Sequence, residues 1–120
     1  MRALSIQQPW VDRILSGEKN IKYRSRRIKD MGPLLLHASK TVVPENFDGM
    51  EQADADRLPY GALVGVVDVV DVVPVEGEDL YEWRLAHPRR FAMPIPYKGA
   101  ASIFKVPMAD IKMYLRPLLV

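Results

Sequence analysis

The residues with the clearest chemical potential are cations gathered in one short segment. Residues 18–29 contain a single acid, Glu18, set against Lys19, Lys22, Arg24, Arg26, Arg27 and Lys29. This segment carries a net charge of +5, which leaves −3 for the rest of a chain whose total is +2. Because the positive charge is local, it indicates an anionic ligand, and nucleic-acid phosphate is the commonest such ligand for a small domain. The alternative interpretation is a solvated basic hairpin.

Asp68 is the strongest acidic candidate for a functional role. It interrupts a valine-rich stretch, and a carboxylate there must be paired or lie at the mouth of the fold, because an isolated buried charge is costly. Arg24 is either a phosphate contact or a structural partner of Asp68 or Asp71. The two acids lie three residues apart, so on one strand they face opposite sides and do not form a metal site alone. We expect no metal and no cofactor.

His37 and Ser39 lie on one face of a short apolar strand. A histidine that titrates near neutral pH beside a basic strand is what RNA cleavage needs as a general base. The commoner alternative is a hydrogen-bonded histidine in the core. His87 precedes Pro88 and is interpreted as a turn residue.

Two residues flank the start of the first predicted helix. Gln8 lies just before Pro9, where its amide either contacts a base edge or anion together with helix N–H groups or caps the helix. Trp10 is interpreted as a pocket wall that stacks on a base, with burial in the core as the alternative. We expect Tyr23 in the core.

The bulk composition sets limits on the class of protein. A chain of 120 residues predicts one domain, residues 1–120. With 48% hydrophobic and 27% charged residues, wholesale disorder is excluded. The absence of cysteine excludes disulfides and thiolate zinc sites. The apolar runs are too short to span a bilayer and the N-terminal residues do not resemble a signal peptide, so we expect a cytoplasmic protein without membrane contact.

The helices and strands that position these residues are predicted from the spacing of apolar residues and from the residues that end helices and strands. Ile21 and Tyr23 alternate with basic residues, which predicts a strand with its apolar residues on one face and its cations on the other. The other predicted elements are a strand at 4–7, a helix at 9–16, a strand at 34–38, an acidic helix or loop at 44–58, a central strand at 61–73, a helix at 78–85 with Leu80 and Trp83 inward, an edge strand or loop at 91–96, a strand at 102–106 and a helix at 108–115. This order favours an α+β fold, a small mixed β-barrel with peripheral short helices.

The order and spacing of several motifs resemble the ASCH domains, a PUA-like family of small β-barrels associated with RNA. The motifs are Ser5-Ile6-x-Gln8-Pro9-Trp10, Ile14-Leu15-x-Gly17-x-Lys19, Tyr23-Arg24-Ser25-Arg26, Leu36-His37-Ala38-Ser39, Gly61 to Val70, and Trp83 with Pro94, Lys98-Gly99 and Phe104. The resemblance covers nearly the whole chain. It implies a pocket between the first helix and the barrel that holds a base or nucleoside.

The resemblance also implies two enzymatic alternatives. Some ASCH proteins are ribonucleases, and one bacterial group is an amidohydrolase that deacetylates N4-acetylcytidine with a lysine, a threonine and a glutamate. Those positions correspond here to Lys19, Lys22 and Asp68. Because Lys22 lacks the hydroxyl that a threonine nucleophile supplies, the amidohydrolase alternative is weakened. A second departure is that many relatives carry Arg or Lys at the position of Gln7 and Glu at the position of Lys22. Because both charges differ here, we expect Lys22 to pair with Asp68, leaving Lys19 free for a ligand.

The sequence therefore favours a binding module for RNA or a nucleoside-type small molecule. Its expected ligand contacts are Gln8, Trp10, Lys19, Lys22, Arg24, Arg26, Arg27, His37, Ser39 and Asp68. If the protein is instead an enzyme, Lys19, Lys22 and Asp68 are the expected catalytic residues. A third class, a protein-interaction domain using acidic segments 45–56 and 76–82, stays open.

Overall fold

The computed structural model describes residues 1–28 and 30–119, most of which lie in short strands and helices. The strands are β1 (Arg2–Ile6), β2 (Ile21–Arg24), β3 (Gly32–Ala38), β4 (Ala62–Pro74), β5 (Tyr81–Pro96) and β6 (Ile103–Lys105). The helices are α1 (Trp10–Leu15), α2 (Gln52–Arg57) and α3 (Met108–Leu119), with a 3₁₀ turn at Pro44–Phe47. Within the described ranges, no helix combines the length and the apolar character that a bilayer crossing requires.

The strands form one mixed six-stranded sheet in the order β2-β5-β4-β3-β1-β6, curved into a half-barrel. β1 runs parallel to β3, and the other neighbours are antiparallel. The valine-rich β4 lies between β3 and β5, as expected for a β-branched segment that is buried on both faces. The α+β class predicted from the sequence is confirmed.

Both faces of the sheet carry a hydrophobic core. On the first face, α1 contributes Val11, Ile14 and Leu15 to a cluster that includes Leu36, Val67, Val69 and Trp83. On the second face, Ile111 of α3 packs with Ala3, Leu35, Leu63, Val66 and Phe91. We call these the α1 face and the α3 face. Because side chains alternate along a strand, each residue of β4 belongs to one face or the other.

The helix predicted at residues 78–85 is wrong, because Tyr81 begins β5. Trp83 and Leu85 are buried two residues apart, the spacing of a strand, and they pair with Val72 and Val69 of β4. His87 and Pro88 do not end the element. They form a bulge between the pairs Asp68–Ala86 and Val66–Arg89, where His87 has a φ of 54°.

Candidate functional site

β2 presents its cations toward the α1 face. Lys22 lies directly opposite Trp83 of β5, and Trp83 is part of the α1-face core. Arg24, two residues further on, shares this face, and its guanidinium carbon lies 5.3 Å from the Trp83 ring centroid. Tyr23 is 51% exposed. The prediction that Tyr23 lies in the core and the cations lie on the other side is wrong, because pairing with β5 sets the opposite register.

The environment of these two cations disfavours their charge. Burial lowers the pKa of Lys22 below its usual value, and the neighbouring charges of Lys19 and Arg24 lower it further. Burial also lowers the pKa of Arg24, with a contribution from Arg26. The Nε of Arg24 is buried and has no hydrogen-bond partner among the described residues. A buried guanidinium N–H without an acceptor is costly. The Nε of Arg89 is in the same state, but Arg89 is paired with Asp68, whereas Arg24 has no carboxylate within salt-bridge distance among the described residues.

The turn after β2 carries two more cations. The indole Nε1 of Trp83 donates a hydrogen bond to the Arg26 carbonyl at 3.0 Å, and buried Ile28 fixes the chain just beyond. The side chains of Arg26 and Arg27 are exposed. Lys29 lies outside the described residues. We call Lys19, Lys22, Arg24, Arg26 and Arg27 the cationic strip.

The arginines elsewhere in the fold contrast with the strip. Five of them pair with carboxylates, as Arg13–Glu18, Arg57–Asp54, Arg84–Asp71, Arg89–Asp68 and Arg90–Asp12. Across residues 1–28 and 30–119, no carboxylate lies within salt-bridge distance of a strip cation. The strip is therefore a cluster of five neighbouring cations, none of which is neutralised by a carboxylate within the described ranges.

Helix α1 ends beside the cationic strip, and its Arg13 contacts both Trp10 and Lys19. Arg13 lies over the Trp10 ring at 5.0 Å from the centroid, so a cation already covers a face of that ring. The backbone N–H of Lys19 donates to the Arg13 carbonyl at 3.0 Å, which fixes the strip's first cation at the end of the helix.

Gln8 is a structural residue in this fold. It is 1% exposed, its Oε1 accepts the Asp12 N–H at 3.2 Å, and its Nε2 donates to the Pro59 carbonyl at 3.0 Å. Its amide oxygen thus provides a hydrogen-bond acceptor for an N–H group in the first turn of α1. This supports the capping alternative rather than contact with a base.

His37 and Ser39 are not brought to the strip. His37 is 2% exposed and neighbours Leu35 of the α3-face core at strand spacing. Because a carbonyl only accepts, His37 Nε2 donates to Tyr97 O at 2.7 Å, and the Ser5 hydroxyl donates to Nδ1 at 2.9 Å. Ser39 Oγ accepts the Thr41 N–H in a local turn. The structure thus supports the core alternative for His37, since both ring nitrogens are engaged.

Asp68 faces away from the strip. Its neighbours Val67 and Val69 belong to the α1-face core, so Asp68 projects to the α3 face. There its carboxylate accepts hydrogen bonds from Arg89 at 2.6 Å and from His87 at 3.0 Å. The predicted Lys22–Asp68 pair is therefore wrong, and Lys19, Lys22 and Asp68 are not assembled as one catalytic group. Arg89 and His87 are not predictable as partners of Asp68 from the sequence, because their position depends on the register of β5.

A cavity of about 490 Å³ adjoins the end of the strip, and its lining residues are Arg27, Ile28, Met31, Asp71 and Val72. Its position differs from the expected pocket between α1 and the barrel. In the part of the chain that is described, no group of three or more metal-ligating side chains occurs.

The mixed six-stranded half-barrel with a few short helices defines a small α+β domain of the PUA-like class. The family model of the ASCH domain matches residues 4–114, so the chain belongs to the ASCH domain family, which is generally RNA-binding. The resemblance noted in the sequence motifs is thereby confirmed.

Solved ASCH structures share the fold at low sequence identity. ASCH from Zymomonas mobilis superposes with a TM-score of 0.66 at 12% identity, covering 98% of this chain and 94% of that chain. Two mutant proteins of the same ASCH give TM-scores of 0.66 and 0.63 at 10% and 11% identity. They cover 96% and 97% of this chain, and 96% and 94% of their own. None of the curated proteins matches the sequence.

Proposed function

We propose that the protein binds single-stranded RNA, with phosphates held by the cationic strip. The observation that carries this proposal is the buried Arg24 Nε without an acceptor, beside a desolvated Lys22 that has no described carboxylate partner. Successive phosphates of a bound strand would supply acceptors and negative charge to the two side chains. A guanidinium is suited to this contact because its donors match phosphate geometry.

The arrangement favours an extended nucleic-acid strand over a lone anion. Lys22 and Arg24 lie on one face of β2 at alternate positions, about 6.6 Å apart along the strand. This is close to the separation of successive phosphates. Arg26 and Arg27 continue the positive charge into the next turn, and membership of a generally RNA-binding family supports RNA as the nucleic acid.

The test is the double variant Lys22→Gln/Arg24→Gln, measured by fluorescence anisotropy with a labelled oligouridine. We expect at least a roughly tenfold loss of affinity. The slope of log K against log salt should become shallower by roughly 1.4, about 0.7 for each lost phosphate contact on a single strand.

The matched control is Arg57→Gln/Lys112→Gln, which removes the same charge from exposed positions on α2 and α3. We expect this control to retain wild-type affinity within about twofold, since distant exposed charges are screened. Equal losses in the two double variants would show that net charge, rather than the strip, governs binding. Wild-type affinity in the Lys22/Arg24 variant would contradict the proposal outright.

A further inference from the structure

The 490 Å³ cavity arises where two neighbouring strands differ in length. β3 pairs with β4 only as far as Gly32 opposite Val69, whereas β4 continues to Pro74. Asp71 and Val72 thus lie on an edge of β4 beyond the end of β3, and Arg27, Ile28 and Met31 border the resulting space. The cavity is within the size range of small-molecule sites.

The cavity combines apolar walls with one acceptor group. Ile28, Met31 and Val72 supply apolar surface, while Arg27 and Asp71 supply charge. Asp71 Oδ1 accepts the Val72 N–H at 2.9 Å, and Oδ2 lies 3.5 Å from Arg84 Nη1. A carboxylate has about four acceptor positions, and the Asp71 side chain is 51% exposed. It therefore keeps acceptor capacity for a ligand, and it offers no donor when ionised.

These groups discriminate among nucleobases. Guanine presents two adjacent donors, N1–H and N2–H₂, on its Watson–Crick edge, which match the two oxygens of a carboxylate. The same edge of adenine or cytosine places a ring acceptor beside its amino donor, and uracil flanks its single N–H with two carbonyls. Each of those acceptors would face the negative charge of Asp71.

We infer that this cavity is a guanine-selective base subsite, in which Asp71 accepts from the Watson–Crick edge and Ile28, Met31 and Val72 enclose the ring. The inference rests on the proposed function for its context, because Arg27 belongs both to the cationic strip and to the cavity wall. A base turned out of a strand bound along β2 reaches the cavity past this residue.

The test compares two labelled oligouridines, one with a single central guanosine and one with a single central adenosine. We expect the wild-type protein to bind the guanosine RNA roughly tenfold more tightly, the scale of one good bidentate base contact. Asp71→Asn replaces one acceptor by a donor, so the preference should disappear or shift to adenosine. Asp79→Asn, the same charge change at an exposed turn position, should keep the guanosine preference.

Free mononucleotides separate this inference from the proposed function. Isothermal titration should show selective binding of guanosine monophosphate over adenosine monophosphate, even if oligouridine fails to bind the strip. Met31→Ala, a change at a half-exposed wall residue, should weaken guanosine monophosphate binding, which covers the case that Asp71→Asn does not fold. Salt-dependent RNA binding with equal affinity for both oligouridines, and no mononucleotide selectivity, would overturn the subsite while leaving the strip proposal standing.

Discussion

At the scale of single residues, a lysine and an arginine lie on the core side of the edge strand β2. Lys22 and Arg24 flank Trp83, where an apolar pair would pack better in the free protein. Burial lowers both pKa values, which means that folding disfavours the charged forms. Such placement costs stability in the free protein, as the proposed role in ligand binding requires.

Removing the Lys22 charge should stabilise the free protein. At neutral pH, Lys22→Met should raise the free energy of unfolding by roughly 0.5 kcal/mol, at the lower end of typical stabilising changes. Because the folded-state pKa is lowered, the unfolded chain binds more protons between that pKa and about 10.5. Wild-type stability therefore gains from this residue as pH rises through that window, and the advantage of the variant should shrink.

Urea denaturation at neutral and at alkaline pH measures this difference. Arg57→Met, at an exposed position on α2, serves as the control for loss of one cation. A Lys22→Met protein that is less stable than wild type at neutral pH would show that the lysine is a stabilising structural residue, contrary to the account.

At the scale of elements, the β4–β5 pair determines where every candidate side chain points. Three register shifts interrupt this pair, near Val64, Val67 and Val70. The glycine at position 65 permits one of the close approaches. A Cβ built there would lie 2.5 Å from the Arg89 carbonyl oxygen and 2.6 Å from Leu15 Cδ2. Gly65 thus lets α1 and β5 approach β4 together.

Gly65→Ala should therefore destabilise the fold, although alanine is otherwise better tolerated than glycine within strands. The backbone oxygen of Arg89 cannot rotate away, so β5 or α1 must shift, at a cost of roughly 1–3 kcal/mol typical of overpacking. Chemical denaturation checks the value. Val70→Thr, an isosteric change at a half-exposed bulge position of the same strand, should stay within about 0.5 kcal/mol. Equal stability of Gly65→Ala and wild type would show that the close approach is unimportant.

The sequence was sufficient for the elements whose own pattern is unambiguous, such as the valine-rich β4 and the helix that begins after Pro9. It was insufficient for β5, whose apolar spacing fits both a helix and a strand, and for β2, whose buried face depends on its partner strand. Leu80 and Trp83 fit one helical stripe, but Trp83 and Leu85 fit a strand equally, and the partner β4 decides. The pairing of β5 with β2 determines which way Lys22 faces. The pairing of β5 with β4 places Arg89, rather than Lys22, beside Asp68. The concentration of cations in and around β2 is thus visible in the sequence, whereas the direction of each side chain depends on long-range pairing.

At the scale of the whole molecule, the charge is divided between the two faces of the sheet. Asp68 and Arg89 neutralise each other on the α3 face, and Asp12 and Arg90 pair between α1 and β5. The strip cations have no such partners within the described ranges, so positive charge is concentrated locally on a chain of net charge +2. The proposed RNA site lies at this concentration of positive charge.

RNA binding at the cationic strip is tested most directly by a nitrogen–proton correlation spectrum recorded while oligouridine is added. We expect shifts for the backbone amides of residues 22–28 and for the Trp83 indole N–H, which donates to the Arg26 carbonyl beside the strip. The amides around Asp68, His87 and Arg89 should stay in place. Shifts grouped on those α3-face residues, with an unmoved Trp83 indole, would contradict the claim that the cationic strip is the RNA site.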